Sequence, residues 1–182
     1  MKILVTGSKG QLGSEIHKYS ANYNSKWIFT ESQIFDLTDL NNIKYFLDKI
    51  KPDIIINCAA YTDVDNAEEN FDDANIINHK SVKEIAMWTQ KNSCKLIHIS
   101  TDYVYNEKFS NQIIEHIPSS KPINNYGKTK LFGDIACQKF NPNSIILRTS
   151  WLYSTFGKNF LKKIVNLMKS SNELNVVNDQ VG

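Results

Sequence analysis

Short apolar runs alternate along this chain with longer segments whose apolar residues recur every three or four positions. Lys2 to Val5, Trp27 to Phe29, Asp53 to Ile56, Lys95 to Ile99, Ser144 to Leu147 and Leu174 to Val177 predict strands. Several of these runs are apolar throughout, as suits a parallel sheet covered on both faces. Between them, Gln11 to Ser20, Asp39 to Ile50, Phe71 to Asn92, Tyr126 to Lys139 and Phe156 to Ser170 predict helices. The alternation implies an α/β fold with a doubly wound, mostly parallel sheet and helices on both faces. Lys51-Pro52 closes one helix before a strand, and Asp36 to Asp39 offers caps for the start of another. Strand order is not legible from periodicity.

Composition narrows the class. The chain has 182 residues, enough for one domain with a self-supporting core. Its net charge is only +2 and its single arginine is Arg148, so an Arg-rich surface for phosphate backbones is missing and nucleic acid is not an expected partner. Cys58, Cys94 and Cys137 are far apart and form no C-x-x-C pair, and the MKILVTG start lacks a signal-peptide layout. The expectation is a reduced, cytoplasmic protein. No apolar stretch approaches the roughly 20 residues of a membrane span.

The first strand runs into Thr6-Gly7-Ser8-Lys9-Gly10-Gln11-Leu12-Gly13. Glycines at a strand-to-helix turn allow positive φ and let backbone approach a pyrophosphate at the positive end of the next helix. In this context the turn points to a dinucleotide and the sheet to a Rossmann-like fold, although a turn that needs glycine for geometry alone has the same letters. Glu31 follows the second strand at the distance where an acid takes ribose hydroxyls; a solvated loop charge is the plainer alternative. In the ribose role, Glu31 would repel a 2′-phosphate and favour acceptance of NADH. Asp36-Leu37 opens the next loop, where a carboxylate can reach an adenine amino group or cap a helix.

Tyr126 and Lys130 stand four residues apart on a predicted helix and share a face. A fixed cation beside a phenol lowers its pKa from about 10 toward neutrality, although such pairs also occur on ordinary helix surfaces. The strand ending in Ser100-Thr101-Asp102 favours the chemical reading, because ligands of doubly wound sheets sit at the strands' carboxyl ends.

Together, the glycine-rich turn, the strand-end hydroxyls and Tyr-x-x-x-Lys resemble the short-chain dehydrogenase/reductase superfamily, in its extended branch. Within it, NCAAYTDVDNAE (57–68), STDYVY (100–105), YGKTK (126–130), RTSWLY (148–153) and the final NDQVG are similar to the dTDP-4-dehydrorhamnose reductases, over almost the whole chain. The resemblance implies cofactor contacts at Gly7, Gly10, Gln11, Leu12, Gly13, Asp36, Leu37, Ala59, Ala60, Tyr61, Tyr126 and Lys130, beside Glu31 read above. It implies catalysis by Thr101, Tyr126 and Lys130, and sugar contacts at Val64, Thr101, Tyr103, Tyr126 and Trp151. The implied reaction is reduction of the C4 ketone of dTDP-4-dehydro-L-rhamnose, a dTDP-sugar, with NADPH or NADH as hydride source. Tyr126 would donate the proton, Lys130 would bind the nicotinamide ribose and hold the tyrosine's pKa down, and Thr101 would polarise the carbonyl.

Related enzymes differ at the strand end. Sugar-nucleotide 4,6-dehydratases usually carry Thr-Asp-Glu, where this chain has Thr101-Asp102-Tyr103, and epimerases usually carry Ser-Ser-Ala. A rival of another class is the regulatory subunit of methionine adenosyltransferase, which is similar and binds dinucleotide without reducing a sugar. Family members continue well past NDQ, so residues 1–182 are expected to be the NAD(P)-binding Rossmann-like domain, with the C-terminal substrate-binding part largely absent. A homodimer is left open, and no metal is assigned: Glu15 matches a magnesium-binding glutamate of some members without carrying that claim here. His17, His79, His98 and His116 lack ligand spacing, Asp102 and Cys58 have ordinary capping and packing readings, and Asn78 reads either as the asparagine that often stabilises the central sheet in the resembled superfamily or as part of a solvated helix face.

Overall fold

The structure is a computed structural model that describes residues 1–105, 121–170 and 173–176. His116, Val177 and the NDQVG segment lie outside the described residues.

Five parallel strands form the centre: β1 (Lys2–Thr6), β2 (Lys26–Phe29), β3 (Ile54–Asn57), β4 (Lys95–Thr101) and β5 (Ile145–Thr149). Their order is β2-β1-β3-β4-β5, a Rossmann-like arrangement in which every connection is a crossover. Leu174–Val176 carries no strand, contrary to its apolar pattern. An apolar run becomes a strand where a neighbour pairs with its backbone, and no described strand lies beyond β5.

The helices follow the periodic segments. Helix α1 (Gln11–Ser20) leaves the glycine-rich turn, and α2 (Leu40–Ile50) starts at Asp39, whose carboxylate accepts from Asn42 N at 3.3 Å. Helix α2 ends at Lys51 in a left-handed conformation, φ 50°, immediately before Pro52. The pattern from Phe71 to Asn92 reads as one helix, but the backbone is α4 (Phe71–Asn75), a π-helical turn (Ile76–Lys80) and α5 (Ser81–Lys91). A short α3 (Asn66–Glu69) precedes them. Helix α6 (Asn125–Phe140) begins at Asn124, whose side chain accepts from Gly127 N at 2.7 Å. Helix α7 (Phe160–Met168) begins four residues after the periodic pattern does, because Asn159 caps it through Lys162 N and Gly157 just before has φ +63°. No described helix is long and apolar enough to cross a membrane.

Leu4, Ile55 and Leu96 of the central strands pack with Ile43 and Leu47 of α2 and Val82, Ile85 and Ala86 of α5, all fully or nearly fully buried. Each of these leucines, isoleucines and valines contributes about 1.5–3 kcal/mol. The π turn serves the site indirectly. It turns Asn78 inward, where the amide accepts from Tyr61 N at 2.9 Å and donates to Tyr61 O at 3.0 Å and Thr129 Oγ1 at 3.1 Å. Asn78 is thus a buried clamp and not part of a solvated face. Helix α6 comes close at Gly133, where a Cβ would lie 2.3 Å from Asn78 O.

Candidate active site

At the end of β1 the chain reverses at Gly7, φ +63°, and Gly10 N donates to Gly7 O at 2.9 Å. A Cβ on Gly7 would lie 2.7 Å from Ala59 N, and one on Gly13 would lie 2.4 Å from Gly7 O. The turn therefore needs glycine for its fold, and the same bareness presents backbone N–H groups at the start of α1. This is a cradle suited to a pyrophosphate.

A cleft of about 850 Å³ opens over the carboxyl ends of the strands. It brings together Gly7, Gly10, Gln11, Leu12, Gly13, Glu31, Asp36, Leu37, Ala59 and Ala60 with Val64, Thr101, Tyr103, Tyr126, Lys130 and Trp151. Tyr61 is the exception: it packs beside Tyr126 against Ala67 and Ala74, with its backbone held by Asn78, and is absent from the lining.

The chemical end is the floor beneath Tyr126. Lys130 is buried, 2% exposed, and its Nζ donates to Ile99 O at 2.7 Å. Burial pulls its pKa down to about 8, opposed first by Asp134. The Tyr126 phenol is pushed up by burial, opposed by a hydrogen bond with Thr101, and pushed further by Asp102 and Tyr103. The lowering of Tyr126 by Lys130, read from their spacing, is not among the influences on the phenol: burial leads them, and the ammonium is engaged at the end of β4. A phenol so placed stays protonated at neutral pH and is set up to give a proton. The Thr101 hydroxyl donates to Asp102 Oδ1 at 3.0 Å and accepts from Tyr103 N at 3.3 Å, so it rotates if it is to donate into the cleft. Tyr103 meets Tyr126 edge to face at 5.6 Å, and Trp151 meets Phe160 likewise at 5.5 Å. Trp151 takes φ 51°, a left-handed conformation that strains a bulky residue and holds its half-exposed ring at the rim.

The end of the cleft beside β2 holds a pair that spacing did not reveal. Glu31 is ion-paired with Lys9 of the glycine-rich turn, and both line the cleft. A 2′-phosphate would meet a compensated charge there instead of the bare carboxylate expected. Asp36 closes a local turn, accepting from Thr38 N at 2.8 Å and Thr38 Oγ1 at 2.7 Å.

The RmlD substrate binding domain model matches residues 1–182. The chain belongs to this family. A dTDP-4-dehydrorhamnose reductase of Sinorhizobium fredii is 37% identical over 182 residues, covering all of this chain and 61% of that protein. The chain thus spans about three fifths of the length of that curated relative. A solved dTDP-4-dehydrorhamnose reductase of Clostridium acetobutylicum matches with a TM-score of 0.95 at 42% identity, over the whole of this chain and 64% of that one. The Bacillus anthracis reductase, solved in complex with NADP, matches with a TM-score of 0.89 at 35% identity, over 98% of this chain and 64% of that one.

The RmlD-type cleft also draws on residues that motif reading passed over. Gly157 and Lys158 line it because the segment after β5 folds back onto α1, where Asn159 Nδ2 donates to Gln11 Oε1 at 3.0 Å. No local pattern announces a contact between residues so distant in sequence. Cys58 also lines the cleft, but burial pushes its thiol up to about 12, which leaves it a packed, unreactive group. Cys58, Cys94 and Cys137 are all free. His17 stacks on Phe29, His79 bonds Asn75, and His98 is fully buried.

Proposed function

We propose that residues 1–182 are the dinucleotide-binding, Rossmann-like part of an NAD(P)H-dependent reductase acting on the C4 ketone of dTDP-4-dehydro-L-rhamnose. The observation that carries this reading is one cleft containing both a glycine cradle and a buried Tyr126/Lys130/Thr101 group. Relatives named for that reaction, and one solved with NADP, support the substrate and cofactor classes.

Gly7, Gly10, Gln11, Leu12 and Gly13 would hold the pyrophosphate, Glu31, Asp36 and Leu37 the adenosine half, and Ala59, Ala60 and Lys130 the nicotinamide half. Tyr61 would act from behind this wall by supporting Tyr126. The bound dinucleotide supplies a hydride. Tyr126 gives its phenolic proton to the ketone oxygen, and the Lys130 cation stabilises the phenolate left behind. Thr101 turns its hydroxyl from Asp102 to that oxygen as negative charge builds. Val64, Tyr103 and Trp151 offer apolar faces to the deoxysugar. A reduced cytoplasmic setting fits the free cysteines; a homodimer stays open.

The test is substrate-dependent loss of NADPH absorbance by the full-length protein and its Tyr126→Phe variant. We expect the variant to lose at least about 100-fold in kcat while binding dinucleotide within twofold of the parent. Unchanged turnover removes Tyr126 from the proposed role. Tight dinucleotide binding without turnover of this ketone by the parent favours a regulatory binding subunit or another keto-sugar.

A further inference from the structure

Beneath the cleft floor lies a buried polar row that the proposed reaction does not use. Thr6, Asn57 and His98 stand in register across β1, β3 and β4. Thr6 Oγ1 donates to Asn57 Oδ1 at 2.6 Å, and Asn57 Nδ2 lies 3.1 Å from His98 Nδ1. An amide nitrogen only donates, so Nδ1 accepts and the imidazole proton belongs on Nε2. Burial and the charge of Lys130 keep this ring neutral. His98 Nε2 faces Asp134 Oδ1 at 3.9 Å, beyond hydrogen-bond distance, and neither atom has a hydrogen-bond partner among the described residues. The other oxygen, Oδ2, accepts from Arg148 Nε at 3.1 Å, and Arg148 Nη1 donates to the Tyr105 hydroxyl at 2.8 Å.

Asp134 follows Lys130 by one helical turn on α6, so the two share a face, and both are buried. The groups around Lys130 leave little else to balance its charge. Cys137 on α6 and Cys58 after β3 are thiols pushed up to about 12 by burial, hence neutral. Tyr126 on α6 is a protonated phenol and His98 on β4 a neutral imidazole. Asp102, after β4, opens to the cleft and accepts the Thr101 hydroxyl. Arg148 on β5 is a second cation beside Asp134. Among the described residues, Asp134 is the one fully buried carboxylate.

We propose that Asp134 is a positioning residue for Lys130: its buried carboxylate is the counter-charge that keeps the lysine an ammonium inside the fold, aimed at the Ile99 carbonyl. The functional weight of this assignment rests on the reductase reading above; the electrostatics stand without it. Asp134 heads the influences that raise Lys130 against burial; burial in turn pushes the Asp134 carboxyl above its ordinary value, opposed first by Ser100 and then by Lys130 and Arg148. Without the carboxylate, the buried ammonium keeps no buried anion beside it among the described residues, and the lysine sheds its proton more readily.

The experiment is an NMR titration of the full-length protein carrying isotope-labelled lysines, with the Lys130 signal assigned by its loss in Lys130→Gln. In Asp134→Asn the Lys130 pKa should fall by at least one unit, a tenfold loss of protonation at fixed pH, and Asp134→Glu should restore it. An unchanged Lys130 titration in Asp134→Asn overturns the proposal whatever the variant's melting temperature, as does an equal fall in Asp134→Glu. Should Asp134→Asn not fold, Arg148→Gln decides: removing the competing cation raises the Lys130 pKa on this account, and a fall or no change overturns it. Failure of the parent to reduce the keto-sugar would remove the reductase reading while the titration still decides the role of Asp134.

Discussion

Lys130→Met should make the fold more stable while disabling the site. A lysine whose pKa drops from 10.5 to about 8 on folding costs about 3 kcal/mol at pH values below 8. Methionine has a similar length and no charge to bury. It forfeits the hydrogen bond to Ile99 O and leaves the buried Asp134 carboxylate without the Lys130 charge, which together return about 1–2 kcal/mol of that gain. The net expectation at pH 7 is about 1–2 kcal/mol of added stability, or roughly 2–8 °C in Tm for a domain of this size. The pH dependence is the signature. Because the folded pKa lies below the unfolded one, the unfolded chain binds more protons between about pH 8 and 10.5. Parent stability therefore climbs through that window, and the advantage of methionine disappears toward its upper end. Thermal or urea unfolding of parent and variant from pH 7 to 10 reads both quantities. A variant less stable at pH 7, or a gain that stays constant across the range, refutes the reasoning.

At the other end of the cleft, calorimetric titration of NADPH and NADH tests the Lys9–Glu31 pair. Lys9→Ala should weaken NADPH more than NADH, and Glu31→Gln should favour NADPH, each by several fold; equal effects on both dinucleotides would remove the pair from 2′-phosphate discrimination. Asn78→Ala breaks three hydrogen bonds, one buried and two part-buried, and should cost about 3 kcal/mol in urea unfolding, with a loss below about 1 kcal/mol contradicting the clamp.

The parallel sheet was readable because Ile54 to Ile56 and Leu4-Val5 are apolar on both sides, and only a doubly covered sheet needs that. The turn at residues 6–13 was readable because its glycines answer a steric demand that letters record. Leu174 to Val177 has the same apolar signature as a strand, but pairing depends on a neighbour that periodicity does not encode. The split of the 71–91 helix was likewise hidden, since a π turn changes hydrogen-bond spacing without changing the apolar stripe. Within the site, spacing brought Tyr126 and Lys130 to one face correctly and misjudged their coupling. Two residues four apart define a direction; they say nothing of how dry the surroundings are, and dryness moves both groups. Lys9 and Glu31 meet only because β2 lies beside β1.

The strand order carries a consequence for how the chain is made. From β1 onward, each new strand docks on one already synthesised: β2 and β3 on β1, β4 on β3, β5 on β4. Among the described strands, each one after β1 therefore finds its neighbour already synthesised. By the time Ala60 has emerged, the glycine cradle, Glu31, Asp36 and the wall at Ala59 are all in hand, whereas Thr101, Tyr126 and Lys130 come tens of residues later. The segments that build the glycine-rich side of the cleft are therefore made first, and those that carry Thr101, Tyr126 and Lys130 are laid onto strands already made.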